Sequence, residues 1–265
     1  MIELNIIEIR NLNFSFEKDS ILSSVNIDIK RGSFVLLTGN NSSGKTTLLK
    51  IINGMLFSND NISVDGITIN KNNLESIHKI TSYISINNVY FSQTVYDELS
   101  LLLNSEEYMK KNKIMKILEE FNMSDKLYSF PNELSYFEKQ KLTIIKCILK
   151  GSKIICVDNI LSLMDNTSKK YIIDKLKSYS KKENITVIYA SNDLEDSLYF
   201  DRIIVLYNKC VILDGSPTSI FEHENILKKI GLKLPLICEL NDKLLLYDLI
   251  DNKNYTMEEL VDKLC

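Results

Sequence analysis

The segment Gly39-Asn40-Asn41-Ser42-Ser43-Gly44-Lys45-Thr46-Thr47 sets two glycines, a lysine and a run of hydroxyl side chains at the spacing G-x-x-x-x-G-K-[ST]. Glycines let backbone N–H groups approach an anion closely, a helix starting near Lys45 aims its positive end at that anion, and the lysine adds a full charge. The chemistry implied is capture of a nucleotide polyphosphate, with Lys45 reaching the β and γ phosphates and the Thr46 hydroxyl ligating Mg²⁺. A second element of the same chemistry lies downstream, where the apolar run Ile154-Ile155-Cys156-Val157 ends in the carboxylate of Asp158. A carboxylate there is suited to hold Mg²⁺ directly or through its water.

Such residues need a scaffold that delivers a loop and a carboxylate to one place. Residues 33–38 read as a buried strand leading into the loop, and Leu48, Leu49, Ile51, Ile52 and Leu56 recur at helical spacing after it. The competing reading, an ordinary glycine turn capped by Ser and Thr, is disfavoured by this strand-to-helix setting. Over residues 6–16 and 21–29 apolar and polar side chains alternate, the period of half-buried antiparallel strands, and residues 63–69 read as a hairpin turning at Asp65-Gly66. From about residue 95 to 150 strand signals vanish and helical periodicities replace them, as in Ile114, Ile117, Leu118 and Phe121. Strand patterns return at 154–157, 185–190 and 203–206, with an amphipathic helix carrying Tyr171, Ile172, Ile173 and Leu176 between the first two. Beyond residue 216 short helices mix with turns, to the end of the chain at 257–264. Alternating strands and helices predict an α/β fold.

Composition narrows the function classes. With 32 basic against 35 acidic residues and a net charge of -3, there is no electrostatic case for nucleic acid, and none is expected as a partner. Five cysteines stand singly at Cys147, Cys156, Cys210, Cys238 and Cys265, without CxxC spacing, which predicts reduced packing thiols in a cytosolic protein rather than a zinc site. The first residues lack the basic and apolar regions of an export signal, and no run of 18 apolar residues occurs to span a membrane. The two histidines, His78 and His223, read as surface residues.

Between the loop and Asp158 lies Glu133-Leu134-Ser135-Tyr136-Phe137-Glu138-Lys139-Gln140-Lys141, and Ser162-Leu163-Met164-Asp165 follows shortly after it. This order and spacing resemble the ATP-binding cassette (ABC) ATPases, whose signature reads LSGGQ or LSGGE and whose D-loop reads SxLD. Phe16 stands at the place of the adenine-stacking aromatic, and Thr94-Val95-Tyr96-Asp97-Glu98-Leu99 matches the segment that begins the helical subdomain. The resemblance implies an α/β P-loop NTPase of ABC type: a mixed sheet core with an antiparallel β subdomain, an inserted helical subdomain over about 93–150, and a small C-terminal α extension. An ATP-binding domain over 1–215 and an extension over 216–265 are expected, with ATP and Mg²⁺ as cofactors. Residues 39–47 and Phe16 would bind nucleotide, Thr46 and Asp158 the metal, and Ser135 a nucleotide across a dimer. The tail, through Gly215-Ser216-Pro217, Ile230-Gly231-Leu232-Lys233-Leu234-Pro235 and Met257-Glu258-Glu259-Leu260-Val261, looks like that of energy-coupling factor (ECF) transporter ATPases. These work as dimers beneath a transmembrane coupling subunit that, with a substrate-binding membrane subunit, imports vitamins or metal ions. The expected place is therefore peripheral, on the cytoplasmic face of the cell membrane, with a second ABC ATPase subunit as partner in a homo- or heterodimer.

The chain departs from the family at the positions that carry turnover. Where the family has a Glu after the strand-terminal Asp, this chain has Asn159, and an amide cannot take a proton from water. Where the family has its switch histidine, Ser191-Asn192-Asp193 supplies Asn192. The slot of the Mg²⁺-sensing Gln holds Ile86, with Asn87 one place on, and a one-residue slip along a strand reverses a side chain. The signature glycines are Tyr136 and Phe137, bulky groups at a helix start, while Ser135 and Glu138 keep the spacing of a capping box. Expected is an ATP-binding importer subunit with impaired hydrolysis of its own. The alternative is a soluble regulatory ABC pseudo-ATPase with no transport role.

Overall fold

The computed structural model describes residues 4–58, 61–250 and 257–264. Two sheets form. The first, in the order β2-β1-β4-β5, is antiparallel and joins β1 (Asn5–Phe16), β2 (Asp19–Lys30), β4 (Asn61–Val64) and β5 (Ile67–Thr68). Its hairpin turns at Asp65 and Gly66, whose φ values of 52° and 76° are the left-handed pair that an Asp-Gly turn supplies.

The second sheet runs β10-β9-β3-β8-β7-β6. Strands β3 (Phe34–Thr38), β6 (Thr81–Ile84), β7 (Ile154–Asp158), β8 (Thr186–Ser191) and β9 (Arg202–Tyr207) pair in parallel, and β10 (Cys210–Gly215) closes the edge antiparallel to β9. The alternation of side chains along these strands divides the core. Leu36, Val157, Tyr189 and Val205 face one apolar cluster, whereas Leu37, Cys156, Ala190 and Leu206 face the other. Both faces are covered, so β3, β7 and β8 read as continuous apolar runs. Helix α1 (Lys45–Ile52) lies in the cluster shared with the antiparallel sheet. Helices α5 (Tyr136–Lys150) and α6 (Asn166–Glu183) pack on the opposite face.

Between β6 and β7 the described structure holds only α3 (Val95–Ser100), α4 (Glu107–Glu120), α5 and short 3-10 turns. The tail carries α7 (Pro217–Phe221), α8 (Glu224–Lys229), α9 (Leu236–Leu246) and α10 (Met257–Leu264). Its Leu227, Ile230, Leu232, Leu234 and Ile237 are buried in the cluster that also contains Leu194, so the tail is packed against the main sheet rather than appended to it.

Several details differ from the sequence pattern. Helix α1 stops at Ile52 instead of continuing to Leu56, because Asn53 leaves helical geometry and Gly54 follows in the left-handed region at φ 69°. Strand β10 and helix α2 (Leu74–Ile80) carry no clear sequence pattern, having one buried residue between them. Cys147, Cys156 and Cys238 are buried thiols and Cys210 is half-buried, while Cys265 lies outside the described residues. His78 and His223 are exposed. Among the described residues no helix is long and apolar enough to cross a membrane.

Candidate functional site

Strands β3, β8 and β7 are neighbours, and their carboxyl ends deliver the glycine-rich loop, the Ser191-Asn192 corner and Asp158 to one place. That is where open parallel sheets bind ligands. Gly39 sits at φ 146°, and a Cβ there would lie 2.1 Å from the Leu206 carbonyl oxygen, so only glycine lets the loop leave β3 this closely. Gly44, at φ 102°, starts α1 and presses on Leu22. The first N–H groups of α1 have no partner within the helix and point at the loop's hollow.

Lys45 is buried, and its Nζ donates to the carbonyls of Gly39 at 2.7 Å and Asn40 at 2.8 Å, and to Ser43 Oγ at 3.2 Å. Burial pushes its ammonium down to about 8, opposed by the charge of Asp158. The Thr46 hydroxyl donates to the Asp158 carboxylate at 2.9 and 3.1 Å. This hydroxyl–carboxylate pair is the hard-oxygen set that Mg²⁺ takes alongside phosphate oxygens, so the residues fit the metal that the loop implies. A third group on Asp158 escaped sequence reasoning: the Tyr83 phenol donates to Asp158 Oδ2 at 2.6 Å. Burial and the neighbouring carboxylate push that phenol far up, so it remains a donor. The available signal was register, because Tyr83 pairs with Cys156, two residues before Asp158 and on the same face.

A cavity of about 340 Å³ is lined by residues 41–47 together with Ile21, Asp158, Asn159 and Asn192. Asn159 occupies the left-handed region at φ 51°, with its N–H on the Ala190 carbonyl and its own carbonyl accepting from Ser162 Oγ. Asparagine tolerates that backbone better than most residues. Asn192 Nδ2 donates to Asn41 Oδ1 at 2.6 Å, tying the corner after β8 to the loop. Asn40 Nδ2 donates to the carbonyl of Ile230 in the tail, a contact that local sequence patterns do not signal.

Other candidate positions stand apart from this cavity. Phe16 is 47% exposed at the end of β1, edge-on to Phe14, outside the cavity wall that Ile21 lines. Ile86 is 41% exposed beyond the end of β6, while Ser85 and Asn87 line a separate groove of about 900 Å³ between the turn after α1, β6 and α5. Ser135 is exposed at the start of α5, and its hydroxyl and N–H are closed into a capping box with Glu138. Tyr136 turns back to donate to the Ile160 carbonyl at 2.5 Å, and Phe137 packs edge-on to Tyr171. Both rings are engaged with their own chain.

Residues 22–162 match the family described as ABC transporter. An energy-coupling factor transporter ATP-binding protein, EcfA1, from Ligilactobacillus salivarius is 32% identical, covering 98% of this chain and 96% of its own length. The protein of the same name from Lactobacillus johnsonii is 30% identical, over 98% and 97%. Among solved structures, cbiO1 from Clostridium perfringens, described as part of the ABC transporter complex cbiONQ, shares the fold at a TM-score of 0.76 and 24% identity, over 89% of this chain and 98% of its own. A dimeric ATP-binding cassette bound to ADP and Pi superposes at a TM-score of 0.71 with 20% identity, over 80% and 98%.

Proposed function

The chain belongs to the ABC transporter family, as an ATP-binding cassette, and from that premise we propose that it is the ATP-binding subunit of an ECF-type importer whose own hydrolytic site is impaired. In this reading residues 1–215 form the nucleotide-binding domain and 216–265 the extension. The chain pairs with a second ABC ATPase subunit and sits peripherally on the cytoplasmic face of the membrane, beneath a transmembrane coupling subunit and a substrate-binding subunit for a vitamin or metal ion.

One constellation carries the nucleotide reading: Lys45 folded inward at the strand ends beside the Thr46–Asp158 pair. Lys45 exchanges its carbonyl partners for the β and γ phosphate oxygens, and the amides at the start of α1 receive the rest of the phosphate tail. Thr46 and Asp158 would hold Mg²⁺, which would supply charge neutralisation for the phosphate tail. Tyr83 fixes the orientation of that carboxylate.

The impairment follows from what Asn159 and Asn192 can do. Each lines the cavity, and each offers an amide that orients water or phosphate but accepts no proton. Loss of a general base alone removes roughly 10²- to 10⁴-fold in rate. The chain therefore holds ATP as a clamp, and a partner ATPase supplies most or all of the turnover. Ser135 reaches a nucleotide only across a dimer, being remote from the cavity of its own chain.

The purified chain is expected to bind ATP·Mg²⁺ in equilibrium titration while showing negligible steady-state hydrolysis. Brisk hydrolysis by the chain alone contradicts the clamp. Lys45→Ala abolishes measurable binding, and unchanged affinity in that variant rejects the cradle.

A further inference from the structure

We propose that the C-terminal extension is a working part of the nucleotide site: the turn at Ile230-Gly231 holds the leading edge of the cradle through Asn40, so that the state of the extension sets ATP affinity. This rests on the nucleotide reading above and extends it to a segment outside the phosphate loop.

The contact arises from how α8 ends. Gly231 adopts φ 77°, its N–H bonds the Lys228 carbonyl, and the Leu232 N–H bonds that of Leu227, the paired closure of a Schellman cap. That closure leaves the Ile230 carbonyl facing outward, without a helical donor of its own. Asn40 Nδ2 takes it, and a Cβ added at Gly231 would lie 3.7 Å from the same nitrogen. The backbone carbonyl of Asn40 in turn accepts from Lys45 Nζ. One residue thus joins the tail to the cation that grips phosphate.

The tail segment is anchored at its far end as well. The Leu236 N–H at the start of α9 donates to Glu195 Oε1 at 2.5 Å, in the turn that follows Asn192. Leu232, Leu234 and Ile237 are buried with Leu194 beneath it. Gly231 and Lys233 therefore line a polar cavity of about 400 Å³ whose wall also includes Asn159 and Asn192, both of which line the phosphate cavity too. The segment is a strut from the glycine-rich loop to the corner after β8. Linkage then runs both ways: whatever holds the strut in place raises ATP affinity, and ATP holds the strut.

The test uses the full chain and equilibrium binding of ATP·Mg²⁺. Gly231→Ala strains the turn, its methyl in no more than ordinary contact with Asn40, and Asn40→Ala removes the donor. Each weakens binding by about three- to tenfold, the size of one net hydrogen bond, and the double variant binds no worse than the weaker single. Glu195→Ala, which frees the other anchor, shifts affinity the same way. In the wild type, ATP slows amide hydrogen exchange over residues 227–236, and in Asn40→Ala it does not; this holds even where Gly231→Ala proves unstable. Wild-type affinity in Gly231→Ala, penalties that multiply in the double variant, or exchange over 227–236 indifferent to ATP overturns the strut. A wild-type chain that ignores ATP rejects the nucleotide reading instead.

Discussion

At the scale of single residues the site is an electrostatic compromise that can be titrated. Lys45 is buried among neutral acceptors, which pushes its ammonium down to about 8. Phosphate needs the charged form, so ATP affinity falls as pH rises through about 8 in the nucleotide-free protein, measurable as the pH profile of the dissociation constant. Stability of the free protein moves the opposite way. The unfolded lysine keeps its proton up to about 10.5, so the penalty of burying the charge is relieved between pH 8 and 10.5 and thermal stability gains there from this group. Tyr83→Phe removes the donor on Asp158, and the variant needs about threefold to tenfold more Mg²⁺ for half-maximal ATP binding, because one hydrogen bond no longer orients the ligand. Asn159→Glu places a carboxylate on the cavity wall, although in a left-handed backbone that costs the new residue about 1 kcal/mol. Steady-state hydrolysis by that variant rises at least about tenfold, a part of what a general base contributes, and no rise shows that the missing base is not what limits turnover.

At the scale of elements, features encoded locally are legible in the sequence and those that depend on distant partners are not. The loop at 39–47, the strand ending in Asp158 and the alternation of β1 and β2 each declare themselves within a dozen residues, because hydrophobic period and glycine placement are local properties. The bond from Tyr83 to Asp158 spans 75 positions and that from Asn40 to Ile230 spans 190, and no pattern within either segment announces them. Strand β10 has four half-buried residues, two exposed ones and none fully buried, and gains its place by pairing with β9, so its own sequence signals little. The start of α5 shows both sides. Its capping box was legible from Ser135 and Glu138, while the inward turn of Tyr136 onto Ile160 was not. Ser135→Ala opens the box and lowers the unfolding free energy by about 1 kcal/mol in urea denaturation, with ATP binding by the isolated chain unchanged.

At the scale of the whole molecule the two apolar clusters meet along the parallel sheet, and the groove of about 900 Å³ opens where that sheet gives way to the helical segment. Its lip is held firmly. The N–H groups of Phe91 and Ser92 donate to Glu98 Oε2 at 2.9 and 3.0 Å, and the buried Glu98 is paired with Lys146 of α5. Yet the side chains on this rigid lip face water: Phe91 is 83% exposed and Val89 66%. Apolar side chains presented on a fixed edge beside a groove gain free energy only when a partner covers them. On the importer reading proposed above that partner is a membrane subunit, and the groove lies between the turn that follows α1, β6 and α5. Phe91→Asp leaves the fold intact, because nothing packs over the ring, and leaves ATP affinity unchanged, because the cavity at residues 41–47 does not include it. The same substitution lowers co-purification with the membrane subunit several-fold, since burying an unpaired carboxylate in an apolar contact is costly. Recovery of the membrane subunit at wild-type yield with Phe91→Asp places the docking face elsewhere on the molecule.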